Sequence, residues 1–456
     1  MAKESLKQSS PALERKLGPF MLWGLGVGYV ISGMYFGWNL GLPVGGTLGL
    51  AIATLFIIIM YLCFTFSYTE LACAIPNAGG AFAYARKSYG NDMGFLAGMA
   101  QVVEFVFAPP AIAAAIGAYF HLFIPGVSTT LIAVVAYVIF TALNISGVKA
   151  AAQFELFITI LAVGELLIFA GVTLPHFEVK NLAINAFPHG FGGAFAAIPF
   201  AIWFFLAIEG VANVAEETIN PQRNILIGFG SAILTLVVLA VLTFGASVGV
   251  GGWESVVYPT PGADASDSPL PLALSHVVGN SHLLYHMLIF IGLFGLVASF
   301  HGIILASGRA VYEMGKERFL PPVLGKINKR FHTPAAALVA NMVVGIIALF
   351  TGHTGEIITI SVFGALTLYI VSMISMFKLR KDAPEMERPF KVPFYPVTPI
   401  VAIVIAVVSL IAVIYYNLLL AGIYLLILGV SFLWFKVASY RKTQLEEKSV
   451  IIDIEK

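Results

Sequence analysis

Four titratable side chains stand inside long apolar stretches of the sequence: Glu104, Glu165, Glu209 and His301. Ionisable groups are costly in the interior of a membrane, so they are candidates for function there. A carboxylate accepts hydrogen bonds and attracts cations, and a histidine changes its charge near neutral pH. This set of residue types indicates recognition of a cation or movement of a proton.

The stretches that carry these residues are typical of membrane-spanning helices. Of the 456 residues, 59% are hydrophobic and only 11% are charged, whereas a soluble domain has about 25% charged residues. Apolar runs of about 20 residues predict twelve spans, at 19–40, 48–74, 92–121, 127–146, 153–174, 192–215, 225–249, 283–312, 335–352, 356–377, 396–416 and 418–437. The composition excludes a soluble enzyme, and the net charge of +1 argues against a nucleic-acid partner.

The distribution of positive charge supports this number of spans. Cytoplasmic segments of membrane proteins carry an excess of Lys and Arg. With both termini in the cytoplasm, 24 of the 25 basic residues lie in inside segments and only Lys180 lies outside. We therefore predict a cytoplasmic tail at 1–17, one membrane domain at 18–438 and a second cytoplasmic tail at 439–456. The core helices would cover about 18–377, and helices 11 and 12 about 396–437.

Two spans contain residues that favour a break in the helix. In span 1, glycines surround Ser32–Gly33, and in span 6 Glu209–Gly210 interrupts an aromatic stretch. Glycine lowers the cost of leaving helical geometry. Breaks that lie five helices apart predict an inverted-repeat transporter, with its site near the midplane between the broken helices. For Gly24, Gly26 and Gly28, close helix packing is an equal alternative.

Three segments resemble the amino acid–polyamine–organocation family. They are NAGGAF at 77–82, AEETINPQR at 215–223 and YEMGKERFLPP at 312–322. GVGYVISGMYFGWNLGLPVGGT and QVVEFVFAPPAIAAAIGAYF are, in addition, similar to the bacterial ethanolamine permeases of that family. The resemblance covers about 15–440. It implies an all-α, LeuT-like fold in which five helices repeat in inverted orientation, two helices follow, and helices 1 and 6 are broken.

The resemblance also implies a function. It predicts a multi-pass permease of the bacterial cytoplasmic membrane that takes up ethanolamine or a related small amine by alternating access, with no cofactor. The alternative is a neutral amino acid permease of the same family. Ethanolamine is an ammonium ion whose pKa is near that of lysine, roughly 10, so its site needs acceptors more than donors.

Candidate substrate-binding residues lie on helices 1, 3, 6 and 8. They are Ser32, Gly33, Met34, Tyr35, Glu104, Trp203, Phe204, Ala207, Ile208, Glu209 and His301. The resemblance assigns Trp203 to a gate that closes over the substrate. Glu104 lies between aromatic residues that could hold an ammonium, although a structural hydrogen bond explains it equally well. Ser299, Glu209 and His301 are candidates for coupling to a proton or a sodium ion.

The remaining acidic and metal-binding residue types give weaker signals. Glu165 is a less certain candidate because Ala162 stands near it, where proton-coupled relatives often carry a lysine. Five other glutamates lie nearer the ends of predicted helices and are expected to pair with Arg or to orient loops: Glu70, Glu155, Glu216, Glu217 and Glu313. No metal site is predicted.

Overall fold

The computed structural model describes residues 15–77, 79–147 and 151–454. Most of the predicted N-terminal tail therefore lies outside the described residues, as do Ala78 of the NAGGAF segment and Lys149. The described chain is helical, and its one strand-like pairing is an isolated bridge between Leu17 and Thr218. The predicted all-α class is thus confirmed for the described part of the chain.

Eighteen α-helices and three 3-10 helices make up the described chain. In chain order the α-helices are α1 (Pro19–Val30), α2 (Ser32–Tyr35), α3 (Leu42–Ala74), α4 (Ala81–Tyr89), α5 (Asn91–His121), α6 (Thr129–Ser146), α7 (Ala151–Thr173), α8 (Val179–Ala183), α9 (Gly190–Ala196), α10 (Ile198–Trp203), α11 (Pro221–Gly251), α12 (Trp253–Val257), α13 (Pro269–Val278), α14 (Leu283–Lys316), α15 (Ala335–Leu349), α16 (Thr354–Asp382), α17 (Val397–Tyr416) and α18 (Leu418–Ile454). The 3-10 helices are Trp38–Gly41, Leu174–His176 and Ile208–Glu217.

Within the described residues, ten helical segments are long and apolar enough to cross a membrane. They correspond to ten of the twelve predicted spans. The other two predicted spans, 19–40 and 335–352, contain the shorter apolar helices α1 and α15. The chain is therefore a polytopic membrane protein, and the crossing of these two shorter helices stays a prediction.

Helix 1 leaves helical geometry later than the sequence predicts. Ile31, between α1 and α2, keeps right-handed helical dihedral angles, with φ −59° and ψ −23°. The backbone becomes extended at Phe36, and Gly37 has a φ of 86°. Because glycine adopts a positive φ without a steric penalty, the large change of direction falls at Gly37, one turn beyond the predicted break at Ser32–Gly33.

Helix 6 breaks earlier than the sequence predicts. α10 ends at Trp203, and the chain turns through Phe204 to Ala207, which has a φ of 75°. The 3-10 helix Ile208–Glu217 follows, so Glu209 lies in its first turn and not at the interruption itself. A stretch of 3-10 helix at membrane depth often marks a functional hinge.

The broken helix 6 lies at the centre of the molecule. In the most apolar window of Ile198–Glu217, 94% of the residues are buried, against 22% for Thr129–Ser146 and for Leu418–Val437. α5 packs along α16 and α14, and α1 packs between α11 and α7. α6 and α18 thus face the surroundings, while α1, α5, α10 and α16 enclose the interior.

Close packing explains the first glycines of α1. A methyl group on Gly24 would lie 2.5 Å from a side-chain carbon of Leu156, and one on Gly26 would lie 2.8 Å from the Ala232 methyl. Real Cβ atoms do not approach other atoms this closely, so glycine lets α1 pack against α7 and α11. For these two glycines, the packing alternative accounts for the structure.

Candidate functional site

Glu104 of α5 and Glu209 of the second half of helix 6 meet beside the helix 6 break. Both residues are fully buried, and the Ala207 N–H donates to Glu104 Oε1 over 3.2 Å. Each residue therefore places its carboxyl group in the protein interior, at the point where helix 6 is interrupted.

Each carboxyl group retains an oxygen without a protein donor. Glu104 Oε2 and Glu209 Oε1 receive no hydrogen bond from the described residues. Glu209 Oε2 accepts from the Tyr369 hydroxyl over 3.2 Å, and that hydroxyl lies 2.9 Å from the hydroxyl of Tyr61. Buried polar atoms are normally satisfied, so the two free oxygens are candidates for contact with a ligand.

Further hydrogen-bond acceptors, which are backbone carbonyl groups, follow directly after Glu104 on α5. Pro109 and Pro110 lie inside this helix. Because proline has no N–H, the carbonyl groups four residues earlier, on Phe105 and Val106, lack the usual helical donor. Together with Glu104, these carbonyl groups give this part of α5 acceptors and no added donors.

Ser299 of α14 inserts its hydroxyl into the backbone ladder of helix 1. It accepts from the Ser32 N–H over 2.9 Å and donates to the Gly28 carbonyl over 2.7 Å. The hydroxyl therefore replaces the helical bond that would join Ser32 to Gly28. The Ser32 N–H therefore already has a protein acceptor, and Ser299 lies against helix 1.

Trp203 packs against the C-terminal part of helix 1. Its indole Nε1 is buried without a hydrogen-bond acceptor among the described residues, and a methyl group on Gly37 would lie 2.4 Å from it. Phe36 meets the Trp203 ring edge to face at 5.4 Å, and Phe204 stacks on Trp38 at 5.8 Å. These rings form an apolar layer beside the break in helix 6.

The two broken helices touch at Gly33. A methyl group on Gly33 would lie 2.4 Å from the Trp203 carbonyl oxygen and 3.1 Å from the Phe204 Cα. Only glycine permits this approach of one backbone to another. The sequence-predicted residues Ser32, Gly33 and Met34 therefore lie against the helix 6 break, and the Met34 carbonyl accepts from the Trp38 indole over 3.1 Å.

Tyr35 connects helix 1 to α7. Its hydroxyl donates to Glu165 Oε2 over 2.7 Å and also lies 3.0 Å from the Ala162 carbonyl oxygen. Tyr119 of α5 donates to the Tyr35 carbonyl over 3.0 Å. Glu165 has no buried oxygen that lacks a hydrogen bond, whereas Glu104 and Glu209 each have one.

His301 lies against Glu155, and the role predicted for Glu155 is wrong. His301 Nδ1 is 3.6 Å from Glu155 Oε2, and both side chains are buried. A methyl group on Gly28 would lie 2.6 Å from Glu155 Oε1, so the pair adjoins helix 1. Among the described residues Glu155 contacts His301 and no Arg, because α7 turns this side chain toward helix 1 and α14 while the preceding Gln153 and Phe154 are exposed.

Two of the other end-of-helix glutamates pair with Arg as predicted. Glu70 accepts two hydrogen bonds from Arg380, at 2.8 and 2.6 Å, and Glu217 pairs with Arg309 at 3.0 Å. Glu313 instead pairs with Lys316, one turn along α14, at 3.3 Å. The two Arg pairs connect different helices on the predicted cytoplasmic side.

The structure brings together most of the predicted site residues, but in two groups. The helix 1 and helix 6 residues, including Phe204, Ala207 and Ile208, are buried around the Glu104–Glu209 pair. His301 lies in the second group, with Glu155 and Ser299. Sequence reasoning did not select Tyr61 and Tyr369, because aromatic residues are common in membrane helices. It also did not select Glu155 as a site residue, although the apolar residues beside Glu155 indicated a buried position.

The titratable side chains buried in the described interior are mostly acidic. Among the described residues, the buried titratable acids and bases are five glutamates and His301, with no Lys or Arg. Glu70 is the member of this set that pairs with arginine. Glu104 and Glu209 have no basic partner within the described part of the chain, so this interior favours a cation over an anion.

Comparison with known proteins places the chain in a family. The model of the amino acid permease family matches residues 17–433. An uncharacterized transporter of Rhizobium meliloti (strain 1021) is 28% identical over 399 residues, which are 84% of this chain and 83% of that protein. A methylthioribose transporter of Bacillus subtilis (strain 168) is 28% identical over 422 residues, covering 87% of this chain and 88% of the relative.

A third relative carries an amino acid name. It is a branched-chain amino acid permease of Bacillus subtilis (strain 168), 25% identical over 413 residues that cover 85% of this chain and 86% of the relative. The family and these relatives are membrane transporters and not enzymes, which confirms the prediction that the chain is a transporter of small organic solutes. Because the family model matches residues 17–433, the chain belongs to the amino acid permease family.

Proposed function

We propose that the chain is a secondary transporter that takes up ethanolamine or a closely related small organic amine by alternating access. The observation that carries this proposal is the pair of buried carboxyl groups of Glu104 and Glu209, which have free oxygens and no Lys or Arg partner among the described residues. An ammonium group supplies the N–H donors that these oxygens lack.

The charge of the pair also suits a monovalent cation. With one proton bound, the two carboxyl groups would carry one negative charge, and a bound ammonium ion would make the site neutral. Burying a charge in a membrane protein is tolerable when it is paired and hydrogen-bonded. The Phe105 and Val106 carbonyls would accept further N–H bonds, while Trp203 and Phe204 would exclude water above the substrate.

For energy coupling we propose a proton that binds the Glu155–His301 pair. This pair adjoins Gly28 on helix 1, close to where Ser299 holds the helix 1 backbone. Protonation of His301 would turn the contact with Glu155 into an ion pair and would change how firmly α7 and α14 hold helix 1. Glu209 would take part by binding a proton beside Glu104. Sodium binding at Ser299 is the competing arrangement.

The fold proposed for this mechanism has twelve spans, with the two five-helix repeats inverted relative to each other. Two observations support it: helices 1 and 6 are both interrupted and lie five spans apart, and helix 1 touches the helix 6 backbone at Gly33. Both termini would be cytoplasmic, and the Glu70–Arg380 and Glu217–Arg309 pairs would then lie on the inner side.

The test is binding followed by uptake. Purified protein would be heated with ethanolamine, choline, putrescine, alanine or serine, because a ligand that binds the folded state stabilises it, by about 2.7 kcal/mol at 100 times its Kd. We expect ethanolamine to raise the thermal midpoint most. Proteoliposomes that accumulate no labelled ethanolamine under any imposed gradient would refute the proposal.

A neutral amino acid is the second candidate cargo. The name of one relative, the branched-chain amino acid permease, favours it. An amino acid carries a carboxylate and so needs donors at the site. The Ser32 N–H is already bound to Ser299, and no Lys or Arg lies in the buried interior of the described chain, so we rank this cargo second. Stabilisation and competition by alanine but not by ethanolamine would reverse the ranking.

A further inference from the structure

A cavity of about 360 Å³ lies far from the Glu104–Glu209 pair. Its walls come from the end of α5, the start of α6, the segment before α13 and the start of α16. Ala118, in its lining, follows Glu104 by about four turns of α5, roughly 21 Å. The cavity therefore belongs to the predicted outer end of the molecule and not to the site between the broken helices.

Acceptors dominate the polar lining of this cavity. Asp267 keeps its carboxylate in place by accepting from the Thr354 hydroxyl over 2.8 Å. His121 Nδ1 lies 2.8 Å from the Val127 carbonyl, so this nitrogen carries the proton and the Nε2 of a neutral ring is an acceptor. None of the lining residues is Lys or Arg.

The segment that carries Asp267 is held in place by helix 1. Asn39 donates its side-chain N–H to the Ser266 carbonyl over 2.8 Å, and the Ser266 and Ser268 hydroxyls lie 2.9 Å apart. The carboxylate is therefore presented by a fixed turn that connects helix 1 with α16, the helix that runs inward past Glu104 through Ser361. A ligand in this cavity would contact elements that enclose the central site.

We propose that this cavity is an external binding site for a small organic ammonium ion, with Asp267 as its counter-ion and His121 as a second acceptor. The described residues contain no group of three or more His, Cys, Asp or Glu that could hold a metal ion, so an organic cation fits the lining better than a metal. The site recruits the cation before it reaches Glu104. The choice of ammonium rests on the proposed function.

Equilibrium binding of radiolabelled ethanolamine to the purified full chain at pH 7.5 tests this site. In a Glu104→Gln background, which weakens the central site, we expect residual binding that Asp267→Asn weakens at least fivefold. Asn keeps the size of Asp and can still accept from Thr354. Asp264→Asn is the matched control, because Asp264 lies in the same outer segment, is exposed and does not line the cavity.

A second variant guards against misfolding. His121→Gln should also weaken the residual binding, and the thermal midpoint of each variant is measured alongside. Residual binding that is equal in Asp267→Asn and Asp264→Asn, or absent from the Glu104→Gln background, overturns the external site. If wild-type protein shows no uptake but the Asp267-dependent binding persists, the proposed function fails and the external site stands.

The pH dependence of the residual binding tests the role of Asp267. Burial raises the pKa of Asp267 to about 6, so the carboxylate is charged at pH 7.5 and mostly neutral at pH 5. The other titratable side chains in the lining are His121, on α5, and His353, just before α16. Residual binding should therefore fall as the pH drops through 6. Binding that stays constant from pH 7.5 to 5 contradicts the proposal.

Discussion

At the scale of single residues, the free oxygens of Glu104 and Glu209 distinguish these glutamates from Glu165, which accepts from Tyr35. We expect Glu104→Gln and Glu209→Gln to weaken ethanolamine uptake far more than Glu165→Gln. A hydrogen bond to a charged group contributes about 1.5–3 kcal/mol, which corresponds to roughly a 10- to 100-fold rise in KM.

The measurement is the concentration dependence of uptake into proteoliposomes. Glu165→Gln serves as the control, since it removes a buried carboxylate of similar depth without touching the pair. Wild-type uptake by all three variants would mean that charge does not recognise the cargo.

The Glu155–His301 contact makes a separate prediction about the driving force. Uptake into proteoliposomes should respond to an imposed pH gradient in the wild type and lose that response in His301→Gln, because glutamine cannot take up a proton. Uptake driven by membrane potential should persist, since the cargo is itself a cation.

His282→Gln is the control for this experiment. His282 is on the same chain segment but at the exposed start of α14, where its Nδ1 accepts from the Leu284 N–H. A pH-gradient response that survives in His301→Gln would remove this pair from the coupling mechanism.

At the scale of the helices, the contact between helix 1 and helix 6 depends on the absence of a side chain at Gly33. In Gly33→Ala the new methyl group would lie 2.4 Å from the Trp203 carbonyl oxygen. Forcing an extra methyl into a packed interior costs about 1–3 kcal/mol, so we expect a lower thermal midpoint and loss of ethanolamine-dependent stabilisation.

Gly171→Ala provides the matched control. Gly171 lies inside α7, and a methyl group there would meet no atom within 4 Å. Alanine in a helix is about 1 kcal/mol more favourable than glycine, so this variant should be at least as stable as the wild type. A Gly33→Ala protein with wild-type stability and binding would show that the two backbones separate freely.

At the scale of the whole molecule, the number of spans depends on α1 and α15. α15 has 15 residues, about 22 Å of helix, which is shorter than the roughly 30 Å of a typical hydrocarbon core. We nevertheless expect α15 to cross the membrane, because the basic residues before it are predicted on the cytoplasmic side and the segment after it on the outer side.

Cysteine labelling in intact cells measures this crossing. In a background with Cys63→Ala and Cys73→Ala, an impermeant maleimide should label Thr351→Cys directly but label Lys326→Cys only after the membrane is permeabilised. Ser281→Cys, in the outer segment before α14, is the positive control. Labelling of both Thr351→Cys and Lys326→Cys from outside would exclude the twelve-span arrangement.

The sequence by itself determined the class of the protein, ten of its membrane-spanning helices and the family, because apolar length and charge placement are local properties that each segment carries alone. It also pointed to Glu104, Glu209 and Trp203, since carboxylates and glycine-rich breaks are rare inside membrane helices. The tertiary structure decided which of these residues meet. The structure places the breaks at Gly37 and at Phe204–Ala207, where the backbone of Gly37 and of Ala207 has a positive φ.

Only the tertiary structure could also identify the partners of the buried charges. The sequence predicts Glu155 to be a helix-end residue, but the structure places it against His301. The sequence also gives no sign that the Tyr35 hydroxyl of helix 1 donates to Glu165. The physical reason is that the state of a buried carboxyl group depends on donors brought from distant parts of the chain. Spacing along one helix does not encode those donors.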